Sequence, residues 1–406
     1  MRLAFLTHEP FHPPTGGGSA EARYLVEELR RRGHGVHVFA PEAPDRREVS
    51  HRLGIAWTPF LAWKMGRYTR MRTVKYLLYP HALTRLVGVV AARVRSFDAI
   101  IAQHTISAVA AGCLKRRLRV PVIFNYLDFL TGFMESWPAW LMPRPVLRRL
   151  NRFEMALPSR ASADGVLTVS EVLAGRIAAT GYPRERLCPI NYGYDASRFQ
   201  FEESVVPGRF EGPPVVVMHG SFDHHHLGPI AEEAFARVHE ARPEVRFRLV
   251  GRRTAALGRF LAVAARRGFA AAVEHVDFVP YDQVAGELSR CRLGLVPYEG
   301  TGGTHCAFVA KAVEYLALGL PVVSTALEAI QLYFRDEPLI RFAGFDGAAF
   351  AKAIIERLDE PAENVASPAR AASAGVAREL DWPVVTGRAV DFIEGTLRDA
   401  KGGGGA

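Results

Sequence analysis

Residues 295–325 read LVPYEGTGGTHCAFVAKAVEYLALGLPVVST, and the fold is decided there. Leu293 to Val296 is a short apolar run, which predicts a buried strand. Glu299 to Gly303 follows, a loop with three glycines among five residues. Phe308 to Leu318 carries apolar residues at helical spacing, with Lys311 and Glu314 one turn apart on one face. Gly319 stops that helix, Pro321 prevents its return, and Val322-Val323 opens the next strand. A glycine loop ahead of a helix offers free backbone N–H groups and a positive dipole end, which suit a phosphate. Lys311 adds a fixed charge one turn inside, and Glu314 is placed to accept from two adjacent hydroxyls, as a ribose presents. The plainer alternative is an ordinary helix packed in an α/β sheet. Glycines, Lys, Glu and the terminating Gly-x-Pro-Val-Val in one register favour a nucleotide-diphosphate site, with Gly302, Gly303, Thr304, Lys311 and Glu314 as its residues.

Lys311, Glu314-Tyr315-Leu316-Ala317, Gly319 and Pro321-Val322-Val323 resemble the K-x-x-E-Y-L-A-x-G-x-P-V-V signature of retaining nucleotide-sugar glycosyltransferases, family 4 (glycosyl transferases group 1) in particular. The resemblance covers nearly the whole chain, with its specificity concentrated in this stretch. It implies an α/β, GT-B architecture: two Rossmann-like, doubly wound parallel-sheet domains facing a central cleft. It also implies a nucleotide-diphosphate sugar as co-substrate and retention of anomeric configuration. No D-x-D motif occurs in the chain, which fits a fold whose cations and helix dipoles replace a divalent metal, so no cofactor and no metal are expected.

The 406 residues are too many for one hydrophobic core, so two domains are expected. No apolar run reaches the ~18 residues that span a bilayer. The opening MRLAFLTHEPF is too short for a signal-peptide core and reads as a first strand. Cys113, Cys188, Cys291 and Cys306 are scattered without a C-x-x-C, as expected for reduced thiols in the cytoplasm. Net charge is +9, and it is uneven: Arg46 to Arg95 holds eleven Lys or Arg against one acid, Glu48. Such a block favours an anionic partner. Residues 54–95 read as irregular, with Trp57, Phe60, Trp63, Tyr68, Tyr76 and Tyr79 among Lys64, Arg67, Arg70, Arg72 and Lys75. That mixture suits the inner face of a membrane or a lipid-linked acceptor, and equally a solvated cationic face over buried aromatics. No nucleic-acid reading motif accompanies the charge.

Leu3 to Leu6, the glycines Gly16-Gly17-Gly18, a helix from about Ala20 to Arg32 and Val36 to Phe39 form a β-loop-α-β unit, the start of a doubly wound sheet. A dinucleotide fingerprint is the weaker alternative, because the glycines lie about nine residues past the strand and the last glycine of G-x-G-x-x-G is absent. They resemble the family's first glycine loop, which implies that Gly17 and Gly18 help hold the donor's distal phosphate and the acceptor. Asp98 to Ala102 predicts a strand ending at Gln103-His104, and Val120 to Phe124 another ending at Asn125 to Asp128. Ligands bind beyond the carboxyl ends of parallel strands. Relatives carry T-x-H-D at the second of these ends, and that histidine contacts the transferred sugar; here Leu127 stands in its place and only Asp128 matches. His104 is the candidate for the same space, with a structural role as its alternative. Asp128 is the candidate to orient a sugar or acceptor hydroxyl, or else caps the next segment. Residues 133–157 read as a lid-like helical segment or as plain packing, and Ser170 as a helix cap.

Leu187 to Phe199 resembles the family's hinge, and 202–214 reads as the linker. After Val215 to His219, relatives often show G-R and then K-G; this chain has Gly220-Ser221 and Asp223-His224-His225-His226. Arg252, at the end of the Phe247 to Val250 strand, is a further candidate cation for the diphosphate. Three adjacent histidines do not converge on one ion from a regular helix or strand, so the run is not read as a metal site. Val273 to Val279 resembles the segment that reads the base, but its glycine is missing. Cys306 stands at the first acid of the family's E-x7-E, and Glu299 is out of register.

The expected organisation is 1–200 for the acceptor domain, 201–383 for the nucleotide-sugar domain, 384–400 for a helix crossing back to the first domain, and 401–406 for a disordered tail. The expected function is metal-independent transfer of a sugar to a hydroxyl acceptor (glycan, lipid-linked or small-molecule). A sugar-nucleotide epimerase of the same fold and a non-catalytic nucleotide-sugar-binding subunit are the alternatives.

Overall fold

A computed structural model describes residues 1–12, 17–60, 72–94 and 96–402, with side chains for these except 72–77 and 401–402. The chain packs as two units. The first holds Met1–Met134, Pro138–Tyr192 and Trp382–Ala406; the second holds Glu135–Trp137 and Gly193–Asp381.

The first unit is built on seven strands: β1 Arg2–Leu6, β2 Gly35–Pro41, β3 Ala56–Phe60, β4 Ala99–Gln103, β5 Val122–Tyr126, β6 Gly165–Thr168 and β7 Leu187–Pro189. All pairings are parallel, in the order β3-β2-β1-β4-β5-β6-β7. Every position of β4 (AIIAQ) and β5 (VIFNY) is buried, the pattern of strands covered on both faces. The order reverses between β1 and β4, so the connections after these two strands part to opposite faces and leave a crevice at their carboxyl ends. Helix Gly17–Arg31 buries Ala22, Leu25, Val26 and Leu29. Its outer neighbour is the terminal helix Trp382–Gly402, where the Trp382 ring stacks on Tyr24 with centroids 5.0 Å apart.

The second unit repeats the plan with six strands: β8 Val215–His219, β9 Arg246–Val250, β10 Val273–Val276, β11 Leu293–Val296, β12 Val322–Thr325 and β13 Ile340–Ala343. The order is β10-β9-β8-β11-β12-β13, again all parallel. Its reversal falls between β8 and β11. The predicted sequence of strand, glycine loop, helix and strand in 293–325 is present, and Gly319 ends the helix with φ of 60°.

Several expectations are corrected. The glycine loop does not open the helix that carries Lys311. It starts a short helix, Gly302–Cys306, and an extended break at Ala307 and Val309 precedes a second helix, Ala310–Ala317. Residues 54–95 are not irregular: they contain β3 and helix Arg72–Arg93. Pro59 argued against a strand, but β3 is a sheet edge, where a missing N–H is tolerated. Of the cationic and aromatic residues in that stretch, 61–71 and the side chains of 72–77 lie outside the described residues. The second unit begins at Gly193 rather than 201, because Tyr194 N donates to Leu380 O at 2.9 Å and Ala196 N to Asp381 Oδ1 at 3.1 Å. It closes at Asp381, and the terminal helix runs two residues past its expected end, to Gly402. Residues 403–406, the rest of the expected tail, lie outside the described residues.

Candidate active site

The carboxyl ends at the second reversal bring together three of the predicted donor residues, Gly220, Lys311 and Glu314. Gly220 follows β8 with φ of 99°, a backbone conformation that favours glycine, and Lys311 Cε lies 2.9 Å from where a Cβ would stand. Lys311 Nζ donates to the Tyr298 hydroxyl at 2.7 Å. Tyr298, just past β11, is buried; burial pushes its pKa up, and the charges of Asp223 and Glu314 add to the shift. Glu314 is nearly buried, with its side chain 8% exposed. His219, the last residue of β8, places Nε2 2.6 Å from Glu314 Oε2 and Nδ1 3.0 Å from the Tyr315 hydroxyl. The Tyr315 ring lies over Gly294 of β11, where a Cβ would come within 2.4 Å of it. The structure therefore joins Gly220, Lys311, Glu314, Tyr298 and His219 around one switch point. His219 and Tyr298 lack a motif in the sequence; their signal was positional, at or just past the ends of the two strands flanking the reversal.

Other candidates sit differently. Ser221 is exposed. Arg252 follows Gly251, which abuts the Gly220 carbonyl, but its guanidinium lies 4.4 Å over the exposed Phe278 ring. In the glycine loop, Gly302 N donates to Glu135 Oε2 at 2.7 Å, within the short segment that packs with this unit. Thr304 is corrected. Its amide donates to Thr301 Oγ1 and its own hydroxyl to Glu299 O, so a buried capping box takes the groups expected for a phosphate. Gly303 is buried beside it. Glu299, out of register with the family's first acid, accepts from Ile230 N at 2.9 Å at the start of helix Pro229–Ala241. Cys306 is fully buried.

Asp223, His225 and His226 each bring one ligand-type atom within 4.8 Å of the others, because 223–226 is a turn rather than a helix or strand. Yet His226 Nδ1 accepts from Asp223 N at 3.0 Å, so Nε2 carries the ring proton and has no lone pair for an ion. The His226 ring instead packs on Tyr298, centroids 4.4 Å apart.

At the first reversal, β4 leads into His104, which is buried and held at φ of 62°. Left-handed backbone at a non-glycine residue costs energy and clusters at functional sites. Glu9 Oε1 lies 3.7 Å from His104 Nε2. A Cβ on Gly18 would stand 2.2 Å from Glu9 Oε2 and 2.9 Å from His104 Nε2. A phosphate at Gly18 would meet the Glu9 carboxylate; the glycine serves the approach of Glu9 and His104 instead. Gly17 leaves room for the Tyr192 ring, 3.0 Å from its would-be Cβ. Burial lowers the His104 pKa, but the charges of Glu9, Asp128 and Glu21 outweigh it and the net shift is upward. Asp128, half-buried, thus acts on His104 electrostatically, and the two sequence candidates belong to one group. Behind them Glu21 is fully buried and accepts from Asn125 Nδ2 at 2.9 Å and Gln103 Nε2 at 3.0 Å. Glu9 and Glu21 were not foreseen, since neither belongs to a motif.

Two doubly wound parallel-sheet units, one of seven strands and one of six, define a protein of the GT-B class. Residues 16–193 match the glycosyl transferase 4-like domain, and residues 213–360 match glycosyl transferases group 1. Between them the matches take in most of the chain, and the chain belongs to the glycosyltransferases. A GDP-mannose-dependent alpha-mannosyltransferase of Mycobacterium tuberculosis (strain CDC 1551 / Oshkosh) is 27% identical over 195 residues, which span 45% of this chain and 46% of that protein. The chain thus matches under half the length of this curated relative. Among solved structures, Anabaena Alr3699/HepE in complex with UDP and glucose superposes with a TM-score of 0.72 at 17% identity, covering 97% of this chain and 100% of that one. Sucrose-phosphate synthase from Thermosynechococcus elongatus gives 0.80 at 15% identity, covering 98% and 99%. At these identities the likeness is one of fold. Among the described residues, no helix is long and apolar enough to cross a membrane.

Proposed function

We propose that the chain moves a sugar from a nucleoside-diphosphate sugar to a hydroxyl acceptor, with retention of configuration and without a divalent metal. The observation that carries this reading is the placement of Lys311 and Glu314 beside Gly220 at the second switch point. In this reading Glu314 accepts from the ribose hydroxyls. Lys311, with Tyr298 behind it, neutralises charge on the departing diphosphate, an electrostatic contribution made where water is excluded. Gly302 N, already donating to a carboxylate, is the loop amide suited to an anion. The group formed by Glu9, His104 and Asp128 serves the sugar and acceptor. In this reading none of the described residues is given the part of a nucleophile, and attack from the leaving-group side is the working route. GDP-mannose is the first donor to try, after the mannosyltransferase relative, and UDP-glucose the second. The basic 46–95 stretch is assigned to an acceptor or an anionic membrane surface; vesicle co-sedimentation indifferent to anionic lipid would remove the membrane half of that assignment.

A thermal-shift panel of GDP-, UDP-, ADP- and TDP-sugars in the presence of a chelator tests the reading. A donor at 100 times its Kd stabilises by about 2.7 kcal/mol, a shift of several degrees. One base class should raise the melting temperature with the chelator present, and Glu314→Ala should abolish the shift. A Glu314→Ala variant that binds donor as the wild type does would sink the ribose assignment. An isomerised sugar nucleotide formed without acceptor would point to epimerase chemistry instead.

A further inference from the structure

Glu314 is a nearly buried carboxyl, and among the described residues its hydrogen-bond partner is His219. A carboxylate only accepts, so the network assigns a proton to His219 Nε2, aimed at Oε2. The ring cannot swing away from this task. Its Nδ1 faces the Tyr315 hydroxyl at 3.0 Å, and its backbone N–H donates to that same hydroxyl at 3.2 Å. Tyr315 is itself fixed: it is fully buried and seated over Gly294. The chain of support runs from a side-chain-free position on β11, through Tyr315, to the last residue of β8, and so to one oxygen of Glu314. What it leaves over is Oε1 and one lone pair of Oε2, the acceptors that two adjacent hydroxyls need.

We propose that His219 is a positioning residue of the donor site, holding Glu314 Oε2 so that the carboxylate meets the vicinal hydroxyls of the nucleotide ribose in one fixed orientation. This rests on the proposed function but goes beyond it, since it assigns the ribose discrimination to a residue that does not itself touch the sugar. A carboxyl left free to rotate pays for its ordering when the ligand arrives, and a preorganised one does not.

Two variants separate this role from a merely structural one. His219→Gln keeps an amide N–H at about the distance of Nε2 and should still reach Glu314. His219→Asn keeps a polar atom near Tyr315 but is too short for Glu314. Isothermal titration of each with the nucleoside diphosphate that the wild type binds, and with its 2′,3′-dideoxy form, gives a ratio of affinities. The wild type should favour the ribose form by about tenfold or more, the scale of hydrogen bonds to a charged group. His219→Gln should keep most of that ratio. His219→Asn should bring it close to unity while its affinity for the dideoxy form stays within about twofold of wild type, a pattern that general damage to the fold would not produce. An unchanged ratio in His219→Asn, with wild-type binding intact, overturns the proposal alone. A wild type that binds no nucleoside diphosphate overturns the functional reading beneath it, and the proposal with it.

Discussion

Glu21 shows what one buried carboxyl does to a whole unit. It sits behind His104 with two amide donors on it, from Asn125 and Gln103, and the Gln103 amide also donates to Gly18 O at 2.8 Å. Desolvation raises its pKa from 4.5 to about 7 against the opposing pull of Asn125, His104 and Gln103, while Glu9 adds to the rise. The folded value lies above the unfolded one, so folding favours the protonated acid. Its stabilisation is complete below about pH 4.5 and is lost as pH rises to about 7. That interval, at ~1.4 kcal/mol per pKa unit, corresponds to about 3 kcal/mol. His104, whose pKa is also raised, adds a loss of the same sign at somewhat higher pH. Urea unfolding between pH 5 and 8 should therefore show the wild type weakening with pH. Glu21→Gln should weaken distinctly less over the same range, with Asn125 turned to offer its oxygen to the new amide. Equal pH slopes for the two proteins would remove Glu21 as the source.

At the scale of elements, the contrast lies between segments fixed locally and segments fixed by partners. The helix carrying Lys311 and Glu314, its stop at Gly319 and strand β12 were legible because turn chemistry and apolar spacing sit within thirty or so residues. The break before that helix was not legible, because Thr301 and Thr304 close their own capping box and no composition rule marks it. Helix Glu363–Leu380 was missed outright, and so was the role of 202–214. Those residues are no mere linker: Arg209 is buried and donates to Gly319 O and Leu318 O at 2.8 Å each, and to Ser289 O at 2.7 Å. A lone arginine in a Pro/Gly-rich stretch does not announce that it will cap a helix more than a hundred residues away. The same helix end gives the second prediction. Gly319 has φ of 60°, and a Cβ there would lie 2.6 Å from the Phe201 ring and 2.9 Å from Ala369 Cβ. Gly319→Ala combines left-handed strain with overpacking and should cost about 2–4 kcal/mol. Chemical denaturation monitored by tryptophan-independent circular dichroism measures it, and a loss under about 0.5 kcal/mol would mean that Phe201 moves aside freely.

At the scale of the whole molecule, the two parallel sheets and their reversals were foreseeable from the alternation of strands and helices. The place to look for a site was legible too, because ligands gather at such reversals. That His219 would meet Glu314 there was not foreseeable, since the two lie 95 residues apart and share no motif. The chain's path also carries a mechanical consequence. It leaves the first unit at Tyr192, builds the second, and returns at Trp382. The returning helix buries Trp382, Val385, Ala389, Val390, Ile393 and Leu397, and its Asp391 and Glu394 pair with Arg32 at 2.5 Å and His34 at 2.9 Å. The five larger of these side chains, at ~1.5–3 kcal/mol each, amount to about 8–15 kcal/mol, as much as the ~5–15 kcal/mol net stability of a typical domain. A fragment of residues 1–192 should therefore fail to fold, whereas 193–381, which lacks only the three residues Glu135–Trp137 of its unit, should fold alone. Adding a peptide of residues 382–402 to the first fragment should restore a cooperative thermal transition, and restoration should weaken when the peptide carries Trp382→Ala, because the ring that stacks on Tyr24 and meets Tyr192 edge to face is then lost. A 1–192 fragment that melts cooperatively without the peptide would show that the first sheet closes its own core.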